Sequence, residues 1–301
     1  MPRLIEVADE RSCELAEAIE AINSRGFDPG EEESLHNAAL WLRRLGNNRH
    51  FLGDILIEEL AQRHRDDSPL GTYSPQVVVL SAPQQDFFIR ANLWPSVDEH
   101  MTRASGTSAF SIGLPHDHNF SFLTFGYFGP GYWSDYYEYD YGEVVGWKAE
   151  QVPSLRFVER AQLEQGKLML YRAHVDVHTQ LPADALSVSL NVMHSHGAQS
   201  WLDQYRFDTD KQQIAGILAP TASETFLRVA VGLGQAEALD LADRFAHHHP
   251  SDRVRLAAWD ALASLEADAD RRDKLWARAE LSGSRLVEAE AKQRRAELVD
   301  Q

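Results

Sequence analysis

Thiol chemistry is nearly absent from this chain of 301 residues, which has one cysteine, Cys13. One cysteine cannot form a disulfide within the chain, so a fold held by cross-links is excluded. Set among Leu15, Ala16 and Ile19 in a stretch of helical spacing, Cys13 reads as a small structural residue rather than a nucleophile. Long apolar runs are missing too. No window approaches the roughly 20 residues that span a bilayer, and no apolar stretch of signal-peptide type is found, so a cytoplasmic protein without a membrane partner is expected. Basic charge is scarce: 29 Lys and Arg against 46 Asp and Glu give a formal charge of -17. That balance repels phosphate backbones and no basic patch offsets it, so nucleic acid is not an expected partner. What remains, 44% hydrophobic and 10% aromatic, is the composition of a globular protein.

Apolar residues first recur at three and four: Leu15, Ala18, Ile19, Ile22; then Leu35, Ala38, Ala39, Leu42; then Leu52, Ile55, Leu56, Leu60. This spacing predicts amphipathic helices, broken near Gly26 and Gly46. Beyond the polar stretch 65–75 the period changes to two. Strands are predicted at 76–80, 87–94, 108–112, 120–128, 132–139, 142–147, 155–161, 167–171 and 186–193, with 95–107 as an inserted loop. Many short strands with regular turns indicate a sandwich or barrel. After Trp201 the pattern is helical again: one helix from 220 with Ser223 as its cap, a second over 236–245, a third capped by Ser251, and a single exposed helix in the last thirty residues. The third helix looks like part of a HEAT-type repeat. The expected organisation is therefore α+β, mainly β with helical flanks: an N-terminal helical segment (1–70) packing on a β-barrel (71–210), then a C-terminal helical domain (211–301).

The chemistry sits in Gly113-Leu-Pro-His116-Asp-His118-Asn-Phe-Ser-Phe and, some sixty residues on, Tyr171-Arg-Ala-His174-Val-Asp-Val-His178-Thr-Gln. Residues two apart leave one face of a strand, so His116 and His118 reach one ion together. A third imidazole from the later segment completes an open mononuclear site, with coordination positions left for substrate. Asp117 points the other way, where it orients a neighbouring group. The run from Phe125 to Tyr141 is crowded with aromatics. These either fill the barrel and its rim, or Tyr127, Tyr132 or Tyr137 line the pocket. His194 and His196 also alternate, beyond the last barrel strand, and His247 to His249 read as solvated.

These motifs resemble the cupins, and among them the cysteine dioxygenase-like group, whose signature reads His-Asp-His, two residues, Ser, with a third histidine ahead of a strand reading Val-Ser-Leu. The matching residues are His116-Asp117-His118, Ser121, His178 and Ser187-Val188-Ser189-Leu190, over roughly 76–207. The resemblance implies a cupin-type antiparallel barrel holding Fe(II), or another divalent metal such as Ni, Mn or Zn, through His116, His118 and His178. His174 rivals His178 for the third place and otherwise stands at the mouth of the site as a catalytic residue beside Tyr127 and Tyr137. Arg90 or Arg172 would bind a substrate carboxylate, with Tyr132 beside it. The chain departs from the group at Phe122, where cupins commonly carry a glutamate ligand, and at Leu123, where some members carry a cross-linking cysteine; cysteine is therefore not the expected substrate. The expectation is an oxygenase using O2 on a small anionic, amino-acid-like, peptidyl or carrier-tethered substrate. The alternative is a non-catalytic metal-binding cupin that senses a small molecule or docks a protein. A homodimer or a protein partner is expected through the C-terminal helices.

Overall fold

The structure is a computed structural model and describes residues 2–63, 76–146, 149–219 and 221–299. The chain forms two compact units, one of residues 1–143, 151–199 and 204–215, the other of residues 144–150, 200–203 and 216–301.

The first unit is layered. Strands β1 (Arg3–Leu4), β2 (Val77–Val79), β3 (Phe87–Trp94), β4 (Phe122–Phe128), β7 (Leu168–Tyr171) and β9 (Ser187–His194) form one sheet in the order β1-β7-β4-β9-β3-β2. Strands β5 (Tyr132–Glu138), β6 (Arg156–Leu163) and β8 (Asp176–Gln180) form a second in the order β6-β5-β8, and β10 (Tyr205–Asp208) pairs with β11 (Gln213–Ile217). The strand pairings in the two larger sheets are antiparallel.

Alternation sorts the side chains into two cores. Phe87, Ile89 and Ala91 of β3, Leu123, Phe125 and Tyr127 of β4, and Leu190 and Val192 of β9 pack with the apolar stripes of α1 (Leu15–Asn23), α2 (Glu32–Asn47) and α3 (Phe51–Arg63). The other parity, Trp94, Phe122, Met169, Tyr171 and Met193, meets Tyr132 and Tyr136 from the second sheet. Each fully buried side chain of this size contributes about 1.5–3 kcal/mol of transfer free energy. The helical layer lies close on the sheet: a Cβ at Gly46 of α2 would sit 2.1 Å from Phe125 Cε1. Cys13 is buried in this core, and burial pushes its thiol up to about 11.

No closed ring of strands forms among the described residues, in contrast to the barrel expected from sequence. A barrel needs continuous hydrogen bonding around its circumference, but the first sheet ends in β1 and β2, of 2 and 3 residues, and the second ends in β6. Segment 95–107 is not plain loop, since it contains α4 (His100–Ser105). Residues 108–112 form no strand: a 3-10 turn, Thr107–Phe110, leads into Ser111 at φ 53 and Gly113 at φ 76, conformations that stop a ladder. In 142–147 the Asp140 carboxylate accepts the Gly142 N–H at 2.9 Å and closes a turn instead; Trp147 lies outside the described residues.

The second unit carries α5 (Ala222–Gly232), α6 (Ala236–His248), α7 (Asp252–Ala263), α8 (Ala269–Glu280) and α9 (Arg285–Val299). Its core combines Trp259 and Trp276 with alanines such as Ala242, Ala246, Ala258 and Ala291, small residues that let helices approach closely. Ser251 caps α7, its Oγ accepting the Val254 N–H. Thr221, not Ser223, caps α5: its hydroxyl accepts the Ser223 N–H at 2.9 Å. The last thirty residues hold two helices rather than one: α8 ends at Glu280, and Gly283 at φ 78 lets the chain turn before α9 starts at Arg285. Among the described residues no helix is long and apolar enough to cross a membrane.

Candidate metal centre

The segment that carries His116 and His118 is wedged between β8 and β10 by single backbone bridges. His116 N–H donates to His178 O at 3.0 Å and His178 N–H to His116 O at 2.9 Å; Phe207 N–H reaches Pro115 O at 2.9 Å. Residues directly opposed in an antiparallel pair present side chains to the same face. His118, two residues on from His116, joins them there. The three imidazoles are buried, and a ligand nitrogen from each lies within 4.8 Å of the others.

His118 Nε2 and His178 Nε2 are 3.0 Å apart. Two nitrogens adjacent on an octahedral ion with bonds of about 2.1 Å lie about 3.0 Å apart, so the spacing suits a shared ion. The Leu114 carbonyl, 2.7 Å from His116 Nδ1, can only accept, so Nδ1 carries the proton and Nε2 keeps its lone pair. Burial holds all three imidazoles below their ordinary pKa; at His118 the neighbouring His116, His178 and Arg90 add to it, and at His178 His116 does. Neutral rings are the form that ligates a metal. A donor set of three imidazoles without a carboxylate therefore fits a divalent ion, which keeps its full charge.

Behind the ligand segment, Asp117 is fully buried and fixes it in place. Its carboxylate accepts from Tyr139 OH and from Tyr205 N–H, each at 2.6 Å. His174 belongs to this rear cluster. Its backbone, at φ 58, donates N–H to His118 O at 2.9 Å, and its ring lies 4.0 Å from that of Tyr141 and 3.7 Å from Asp117. The structure thus brings His178, not His174, together with His116 and His118.

A cavity of about 260 Å³ opens in front of the three rings. Arg90 and Tyr132 line it. The Tyr132 ring packs at a tilt against Trp94, centroids 4.2 Å apart, and burial raises its phenol well above the usual range, leaving it a hydrogen-bond donor. Three other residues expected at the site lie elsewhere. Tyr127 is on the helix-facing parity of β4, its hydroxyl donating to Asn48 O at 3.0 Å. Tyr137 is on the outer parity of β5 against Phe157. Arg172 is held by Asp176 at 2.7 Å and Glu138 at 2.8 Å. The rings of His194 and His196 lie tilted against each other, centroids 5.0 Å apart; the only metal-capable group of three or more among the described residues is that of His116, His118 and His178.

Sequence reasoning missed the polar floor of the cavity: Asn92, Asn191 and Gln180. The signal was there, since Arg90-Ala-Asn92 and Ser189-Leu-Asn191 alternate polar residues with core ones. It also missed Tyr136, whose hydroxyl shares a 2.9 Å hydrogen bond with that of Tyr171.

Fold and site together define an α+β protein with a buried, open cluster of three imidazoles. No protein-family model matches the chain, and no curated protein matches it. Among solved structures it is similar to a cupin domain from Bordetella pertussis Tohama I, at 12% identity over 42% of this chain and 100% of that one, with a TM-score of 0.24. It is also similar to a mutant salicylate 1,2-dioxygenase from Pseudoaminobacter salicylatoxidans, at 12% identity over 48% of this chain and 33% of that one, TM-score 0.26. A third is hydroquinone 1,2-dioxygenase in complex with Cd2+ and 4-hydroxybenzonitrile, at 10% identity over 47% and 72% of the two chains, TM-score 0.27. At scores of this size the site is read from its own geometry.

Proposed function

We propose that this chain is a non-haem iron oxygenase of the cysteine dioxygenase-like cupin type, with His116, His118 and His178 as metal ligands and a small substrate bound in the adjoining cavity. The observation that carries the reading is the convergence of three neutral, buried imidazoles beside a cavity. A ferrous ion there would supply Lewis acidity and one-electron chemistry toward O2. The chain's own residues do the rest. Phe122, where a carboxylate ligand is common, instead stacks on Tyr171 at 4.5 Å and gives the site an aromatic wall. Phe120 and Trp94 extend that wall, and displacing water strengthens every charge interaction at the site. Arg90 would hold an anionic group of the substrate by a two-pronged contact, and the Tyr132 hydroxyl would donate to an oxygen of that substrate.

Oxygen uptake by protein stripped of metal and then reconstituted with ferrous iron tests the reading. Activity should require iron; iron-free protein as active as the reconstituted form would end it.

A second reading is an interaction module. It is favoured by the exposed apolar residues Phe226, Val229 and Leu233 of α5. No oxygen uptake with any candidate, combined with a ligand-induced rise in melting temperature, would select it.

A further inference from the structure

We propose that the outward face of α5 pairs with the same face of a second copy of this chain; the pairing is independent of the metal centre and competes with a different protein docking on the same residues. Phe226, Val229 and Leu233 are 70%, 55% and 72% exposed. They recur at three and four residues and so share about 60° of the helix circumference, on the side opposite Leu227 and Val231, which are buried in the core of the second unit. The spacing is that of the a and d positions along which two helices interlock. The other helices of this unit differ. Among the described residues α6, α7, α8 and α9 expose no large apolar side chain within their spans, and exposed positions such as Asp240 and Arg244 of α6 or Lys274 and Arg278 of α8 are charged.

Charge decides what covers the row. α5 has two charged residues, and both turn to α7 of the same chain, Glu224 pairing with Arg253 and Arg228 with Asp260. The row itself is flanked by Ser223, Ala230, Thr225 and Gly232, small residues that let a second helix approach to about 8–10 Å. In a two-fold contact each patch meets its own copy, so any charge on it would face its like. A chain of formal charge -17 repels its copies at long range, and a charge-free face is where that repulsion is least. A different protein recruited to so acidic a chain would be held by basic groups meeting acidic ones at the contact, and this face presents no acidic group to meet them.

A helix of 11 residues is about 16 Å long. The contact therefore falls below the roughly 1,200 Å² of a standard interface, and the pair should be a reversible dimer with a Kd of about 10 μM.

Sedimentation velocity over a concentration series tests this on the full chain. Association should tighten at least about threefold as salt rises from about 0.02 M to about 0.5 M, because salt screens the repulsion and leaves the apolar contact. Phe226→Glu and Val229→Glu should each weaken association more than about tenfold, since a charge buried at the contact would face its like. Both positions are exposed in the single chain, so circular dichroism and zinc uptake should be unchanged. Val229, mid-row, stands nearest the symmetry axis, so Val229→Cys should form a disulfide-linked dimer on mild oxidation while Asp240→Cys on α6 does not; the one native thiol, Cys13, is buried. A monomer at every concentration up to about fifty times the expected Kd, a dimer that survives both glutamate variants, a dimer that loosens with salt, or equal cross-linking at 229 and 240 would overturn the proposal. Zinc uptake by a monomer sinks this proposal alone; a dimer that binds no metal sinks the metal centre alone.

Discussion

His116 and His178 face each other across two antiparallel segments, each donating its backbone N–H to the other's carbonyl, at 3.0 and 2.9 Å. The backbone therefore sets the separation of the two rings before any metal arrives, and ring centroids 4.5 Å apart follow from it. His118 completes the set through strand periodicity alone.

Removing any one of the three imidazoles leaves a two-ligand site. His116→Ala, His118→Ala and His178→Ala should each weaken metal binding by more than about 100-fold, beyond the effect of losing an outer partner. Competition against a chelator of known affinity measures it. His174→Ala, by contrast, should keep the metal within about tenfold, since it acts through the rear cluster.

Asp117 supports the ligand segment from behind through two short hydrogen bonds, from Tyr139 and Tyr205. Asp117→Ala leaves a buried hydroxyl and a buried N–H unmatched, at about 1–3 kcal/mol each. Urea denaturation should show that loss, together with weaker metal binding.

Stability of the metal-free protein should fall as pH falls from about 6.5, the usual histidine value. Burial holds His118 and His178 below that value in the native state. As pH drops, the unfolded chain takes up protons that the native state refuses, so unfolding gains; above about 6.5 both states are neutral and the term vanishes. Denaturation midpoints against pH measure the slope, and His118→Leu should flatten it.

Tyr127 lies on the helix-facing parity of β4 and Tyr137 on the outer parity of β5, both away from the cavity. Tyr127→Phe and Tyr137→Phe should leave cavity ligands bound within about twofold, as expected for residues that touch no ligand. Tyr132→Phe, by removing a donor in the cavity, should cost about tenfold.

Gly46→Ala places a methyl group 2.1 Å from the Phe125 ring. Overpacking of that kind costs about 1–3 kcal/mol, read as a lower melting temperature.

Much of the site was legible because strand parity is a local property. His116 and His118 share a face by spacing alone, and Asp117 must point away. Arg90, which lines the cavity, was legible only through the resemblance, which implies an arginine for a substrate carboxylate. Tyr127 and Tyr137 were not, because parity says which residues share a face but not which face meets the helices; that is decided by α2 packing on β4, a contact between segments far apart in sequence. The choice between His174 and His178 likewise depended on a left-handed residue at 174, φ 58, which turns the chain before β8 begins. The break in the last thirty residues was signalled by Gly283 and by Ser284, whose hydroxyl accepts the Val287 N–H at 3.2 Å. The barrel was over-read, since strand number and spacing do not reveal that the edge strands are too short to close a ring.

The most direct test of the metal centre is metal analysis of protein purified without a histidine tag, paired with anomalous diffraction to locate the ion. One ion per chain, bonded to His116, His118 and His178 and lost in His118→Ala, is the predicted result. Protein that takes up no stoichiometric ion, or an ion located away from these three rings, would contradict it.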